Sequence, residues 1–213
     1  MNGVAYRPSE RRPIASRGLG IVQRAAARLI ARGVSANAIS LASIGWATGA
    51  CLALIATAGT DGVAVRVLFL VAAGCIQARL LANLLDGMVA VGSGQASRTG
   101  ELFNEVPDRV ADALILIGAG YSVGATPALG YLAALLAVFV AYLRAFGSSV
   151  GVTGLFIGPM AKPQRMATVT AACIGGACGF PATGLALALI VAGSAVTAIR
   201  RVQRMAVQLE EIQ

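Results

Sequence analysis

Histidine is absent from the chain, and only nine acidic residues stand against seventeen lysines and arginines. Without imidazole, acid–base or metal chemistry must rest on carboxylates, which favours hard cations held by oxygen over zinc. Charged residues make up 12% of the sequence and aromatic residues 5%, whereas 57% is hydrophobic and the mean hydropathy is +0.78. That composition excludes a large water-soluble catalytic domain and a disordered chain, and is that of a membrane protein. Only four cysteines occur, Cys51, Cys75, Cys173 and Cys178, each within an apolar stretch. This excludes a disulfide scaffold and reads as four reduced packing residues. What the chain has in plenty is small residues, 26 glycines among them, and small residues let helices approach closely in lipid.

The first 36 residues carry Arg7, Arg11, Arg12, Arg17, Arg24, Arg28 and Arg32 against Glu10 alone, and they lack the apolar core of a signal peptide, so no cleavage for secretion is expected. Between Leu19 and Arg32 the apolar Leu19, Val22, Ala26, Leu29 and Ile30 recur at helical spacing while Arg24, Arg28 and Arg32 step by four. That pattern predicts an amphipathic helix lying in the membrane interface. Apolar runs follow at residues 38–58, 63–82, 109–123, 127–146, 166–180 and 182–199, near the roughly 20 residues that cross a bilayer. The third is expected to start earlier, in the polar stretch from Gly100, and to line a cavity.

Turn-like breaks at Gly59-Thr60-Asp61-Gly62, Gly124-Ala125-Thr126-Pro127 and Phe180-Pro181 separate the runs so that six crossings place all three breaks on one side. The basic tail, residues 98–109, Arg144, Lys162, Arg165, Arg200, Arg201 and Arg204 then share the other side, with Arg66 the exception. This is the positive-inside pattern. The expectation is an all-α integral membrane protein with six transmembrane helices, an N-terminal amphipathic helix and both termini cytoplasmic. Residues 1–36 form the tail and interfacial helix, 37–200 the membrane domain and 201–213 a cytoplasmic C-terminal tail. The bilayer is the expected environment, and no nucleic-acid partner is expected.

Five of the nine acids, Asp86, Glu101, Glu105, Asp108 and Asp112, fall within 27 positions, at the expected cytoplasmic ends of the second and third membrane helices. Carboxylates at membrane depth are costly and usually functional. On a helix Glu101, Asn104, Glu105, Asp108 and Asp112 share a face about 100° wide, and Asn83 and Asp86, three apart, share another. Two oxygen-bearing faces joined by a glycine-containing loop, Val91 to Gly100, are suited to enclose a divalent cation. Gly92, Gly94 and Gly100 in that loop would admit a phosphate close to the backbone.

The spacing Asn83-x2-Asp86-Gly87-x2-Ala90-Val91-x8-Gly100-x3-Asn104-x3-Asp108 matches, interval by interval, D-x2-D-G-x2-A-R-x8-G-x3-D-x3-D. The chain thereby resembles the CDP-alcohol phosphatidyltransferase family. Ser35-Ala36-Asn37-Ala38-Ile39-Ser40 is similar to the Pro-Asn-x-x-Thr start of that family's first membrane helix, and Tyr142-Leu143-Arg144-Ala145 to its fourth-helix motif. The resemblance implies a six-helix membrane enzyme, usually a homodimer. Such an enzyme moves a phosphoalcohol group from a CDP-alcohol lipid such as CDP-diacylglycerol to an acceptor hydroxyl in phospholipid biosynthesis and releases CMP.

It also implies one or two Mg²⁺ or Mn²⁺ ions, with Asp86, Asp108, Asn83 and Asn104 at the metal-ligand positions and Asp108 as the base. Gly87, Ala90 and Gly100 would let the nucleotide approach. The bacterial cytoplasmic membrane, with the site facing the cytoplasm, is the implied location. Three signature positions differ: Asn83 and Asn104 replace Asp, and Val91 replaces Arg. Two signature carboxylates remain of four, which weakens the case for a second ion. Glu101, Glu105 and Asp112 are the acids able to compensate. Arg144, Lys162 and Arg165 are the cations able to hold a phosphate or an anionic acceptor. The alternative is a catalytically weakened relative that serves as a nucleotide-lipid-binding or partner subunit.

Overall fold

The computed structural model describes residues 20–94 and 98–212, with the side chains of Arg98, Thr99, Glu101, Phe103, Asn104 and Ile212 excepted. The expected basic tail through residue 19 lies outside the described residues, as do the Glu101 and Asn104 side chains. Among the described residues every regular element is helical: α1 Gly20–Ala31, α2 Ala36–Ala56, α3 Gly62–Gly92, α4 Arg98–Gly120, α5 Pro127–Ser149, α6 Lys162–Ala177 and α7 Thr183–Ile212.

The boundaries follow from local chemistry. The chain leaves α1 through Gly33 at φ +70°, where the Val34 amide donates back to Leu29 O at 3.1 Å and satisfies a terminal carbonyl. Ser35 then accepts the Ala38 amide at 3.2 Å, capping the start of α2. Pro127 and Pro163 stand in the first turns of α5 and α6, where the missing amide hydrogen costs nothing.

Among the described residues four helical stretches are long and apolar enough to cross a membrane: Ala36–Gly59, Gly62–Gly92, Pro127–Ser149 and Thr183–Glu211. The sequence reading expected six crossings. The other two helices fall short for physical reasons, since the first half of α4 is rich in charge and α6 has only 16 residues. The early start expected for the third run is found at Arg98. Two further boundaries differ from expectation. Val91 and Gly92 complete α3 and Gly100 lies in the first turn of α4, so the joining loop is shorter than Val91 to Gly100. Residues 201–212, expected as a tail, are the last turns of α7.

The chain divides into two compact units. In the first, residues 20–46 and 77–111, Ala26, Ile39, Ala82 and Val89 form a buried core with Leu29, Ile30, Leu85 and Met88 packed on it. On α1, Val22 and Ala26 are buried while Arg24 and Arg28 are exposed.

In the second unit, residues 47–76 and 112–212, glycines permit contacts that larger residues would block. A Cβ on Gly118 would come within 2.7 Å of Cys51 Cα, and one on Gly120 within 2.8 Å of Gly130 Cα. Val140, Leu143, Val152, Leu155, Ala198 and Met205 form its core. Residues 150–161 are pinned along α7: the Met160 amide donates to Thr197 Oγ1 at 3.0 Å, the Thr153 amide to Gln208 Oε1 at 3.2 Å, and Arg201 to the carbonyls of Ile157 and Val140. All four cysteines are free, with Cys51 and Cys173 buried. Large apolar side chains such as Leu52, Leu70, Leu135, Leu185 and Leu189 are exposed, as expected of helices whose outer solvent is lipid.

Candidate functional site

In the first unit α3 and α4 bring the signature residues Asn83 and Asp108 together. Arg79, Asn83 and Asp86 stand at steps of four and three along α3 and so on one side of it. The Asn83 amide donates to Asp108 Oδ1 on α4. Arg79 Nη2 donates to the same Oδ1 and to the main-chain carbonyl of Asp108, each at 3.1 Å. Arg79 is fully buried and Asp108 is 9% exposed, so this is an ion pair removed from water. Such a pair endures only when its hydrogen bonds are made.

Asp86 is equally buried, at 2% exposure, and Ser40 Oγ on α2 donates to its Oδ2 at 2.7 Å. Gly87, the next residue, faces open space, since a Cβ there would meet nothing within 4 Å. Arg109 binds Glu105 at 2.9 Å, one turn back on α4, and lies 3.9 Å from Asp108 Oδ2. Glu105 is therefore partnered within its own helix and its side chain is 45% exposed. Pro107, inside α4 and buried, immediately precedes Asp108. It removes one helical hydrogen bond at that turn.

The remaining candidates belong to the second unit. Asp112 Oδ2 accepts from Arg165 Nη2 at 3.2 Å, with both side chains 2% exposed. Arg165 Nη1 donates to the Met160 carbonyl at 3.3 Å. The Arg144 guanidinium lies 5.6 Å from the centre of the Phe156 ring, within cation–π range. Lys162 opens α6 and is half-buried.

Two residues bearing directly on the site were under-read in the sequence. Ser40 occupies the Thr position of the Pro-Asn-x-x-Thr-like segment, and its contact is the Asp86 carboxylate. Arg79 is a cation within a long apolar run, one turn before Asn83. A charge in such a place marks a partner that the sequence alone does not name.

The donor set decides which cations fit. Among the described residues no three His, Cys, Asp or Glu side chains are grouped to hold a metal ion. Asp86 and Asp108 offer hard oxygens suited to Mg²⁺ or Mn²⁺, but Asp108 Oδ1 is already met by a guanidinium and an amide. These donors suit a hard divalent cation whose shell a ligand completes.

No protein-family model matches the chain and no curated protein sequence does. Solved structures do match. The crystal structure of Mycobacterium tuberculosis phosphatidylinositol phosphate synthase in complex with manganese and citrate aligns over 86% of this chain and 88% of its own, at a TM-score of 0.73 and 17% identity. The same protein with CDP-DAG bound aligns over 88% and 94%, at 0.74 and 17%. Its apo form aligns over 85% and 94%, at 0.69 and 17%. The chain thus has the helical fold of phosphatidylinositol phosphate synthase, a CDP-alcohol phosphatidyltransferase.

Proposed function

We propose that this protein is an integral-membrane CDP-alcohol phosphatidyltransferase of phospholipid biosynthesis. It takes a CDP-linked lipid such as CDP-diacylglycerol as donor and an alcohol as acceptor. The observation that carries the reading is the convergence of Asn83 and Asp108, twenty-five positions apart, on one buried carboxylate next to the open Gly87, on a fold like that of an enzyme crystallised with CDP-DAG.

In the proposed reaction the acceptor oxygen attacks the β-phosphorus of the CDP-alcohol, a new P–O bond forms, and the bond to the CMP phosphate breaks. Asp108 takes the acceptor proton on Oδ2, its Oδ1 being fixed by Arg79 and Asn83. Asp86, oriented by Ser40, would hold a divalent ion, which when bound supplies neutralisation of diphosphate charge. Gly87, Ala90 and Gly100 leave the backbone open to the nucleotide. Arg144, Lys162 and Arg165 carry charge complementary to an anionic acceptor.

In the membrane, all six helices α2 to α7 cross, and α1 lies in the interface with Arg24 and Arg28 toward anionic headgroups. Both termini are cytoplasmic in a bacterial inner membrane, and the functional unit is a homodimer. Accessibility labelling tests this arrangement: a probe near Asp61 reacts from outside and tags at both ends only after permeabilisation, whereas an externally reachable N-terminus overturns six crossings.

The transfer itself is tested with purified protein, CDP-diacylglycerol and a panel of alcohols, with CMP release followed in Mg²⁺, in Mn²⁺ and in chelator. Release that depends on both an alcohol and a metal is expected. One observation favours the second reading, a non-catalytic nucleotide-lipid-binding subunit: Asp108 is engaged by a cation of the protein itself. Tight CDP-diacylglycerol binding without CMP release under any of these conditions would decide for it.

A further inference from the structure

We propose that the Arg79 guanidinium supplies, within the site, the positive charge that a second divalent ion supplies to a four-aspartate signature, so that this protein takes one hard cation per chain. The inference rests on the transferase reading for the identity of the site, but not for its charge.

Arg79 is fully buried, and its Nη2 reaches both the side chain and the main chain of Asp108. A buried guanidinium demands a counter-charge, and Asp108 provides it. The first departure from the signature acquires a physical reason in this light. Asn83 stands one turn after Arg79 and gives a hydrogen to Asp108 Oδ1. An aspartate there would place a second anionic oxygen against the first, with no hydrogen to give. Arg79 and Asn83 therefore act as a pair: both aim donors at Oδ1, and a carboxylate oxygen held by a guanidinium and an amide is a poorer ligand for a cation.

The neighbouring charges agree. Facing this carboxylate from its own helix are Arg109 and Glu105, which bind each other at 2.9 Å and cancel. From α3 come Arg79 and the neutral Asn83, while Ser40 on α2, also neutral, donates to Asp86. Asp86 and Asp108 less Arg79 leave one net negative charge among these described groups. With the two negative charges of a CDP-alcohol diphosphate that makes three, which one divalent ion leaves net negative and two would overshoot. Two would crowd positive charge around a buried guanidinium that cannot leave.

The test counts ions rather than turnover. Mn²⁺ is titrated into detergent-solubilised, full-length protein with CDP present, and bound ions per chain are read by calorimetry and by the spin-resonance signal of free Mn²⁺. One ion per chain is expected in the wild type and in Arg79→Lys, which keeps the charge. Two are expected in Arg79→Met combined with Asn83→Asp, which removes the cation and restores the carboxylate. Two ions or none in the wild type overturns the proposal, and so does a single ion in the double variant when circular dichroism shows it folded. If the double variant does not fold, the wild-type and Arg79→Lys counts still decide. Failure of CMP release would sink the transferase reading and leave the ion count standing.

Discussion

Replacing Asp108 by Asn is expected to reduce CMP release by roughly 10²–10⁴-fold, the usual contribution of a positioned base. It should also destabilise the protein, for a reason separate from catalysis. Asp108 is the counter-ion of a fully buried arginine, and removing one member of a buried pair typically costs about 3–5 kcal/mol. The two effects can be separated. Arg79→Met together with Asp108→Asn removes both charges, so unfolding in detergent should return toward the wild-type midpoint while turnover stays lost. Near wild-type release from Asp108→Asn would remove this residue from the role of base. Full recovery of release in the double variant would show that Asp108 matters only as a partner for Arg79.

The second large effect is expected at Asp112 and Arg165, which meet at 3.2 Å with both side chains 2% exposed. Asp112→Asn should cost about 3–5 kcal/mol in unfolding free energy, because it strands a guanidinium away from water. Asp112→Leu with Arg165→Met should be close to neutral, or stabilising, since an apolar pair of similar size avoids the desolvation of both ions. An unfolding midpoint unchanged in Asp112→Asn would refute the pair as a structural element. The same double variant also examines the acceptor role proposed for Arg165. If the variant is stable and its acceptor KM rises while kcat for CMP release holds, Arg165 reaches the acceptor as well as Asp112. If neither changes, the acceptor relies on Arg144 and Lys162.

Much of this was open to reading in the sequence because the relevant physics is local or periodic. The high hydropathy pointed to a membrane chain and the absence of histidine to oxygen ligands for any metal, and the described residues are helical. Helix starts at Pro127 and at Thr183, just after Pro181, lay near the expected positions, since proline acts within one turn. The spacing of Asn83, Asp86, Gly87 and Asp108 pointed to a paired-helix site, and the structure brings Asn83 and Asp108 into contact.

Tertiary structure decided what each charge faces. In sequence Asp112 belongs with Asp108 on one stripe of α4, and only folding turns it to Arg165, fifty-three positions away. Glu105 differs, because its partner Arg109 stands one turn on along the same helix and the sequence already offered that pairing beside a metal role. Arg79 reads as one of several basic residues, yet burial makes it the cation whose charge must be answered. Helical periodicity repeats every few residues and is therefore written along the chain. The pairing of a buried charge is fixed by whichever group another helix delivers to it, and spacing within one helix carries no record of that.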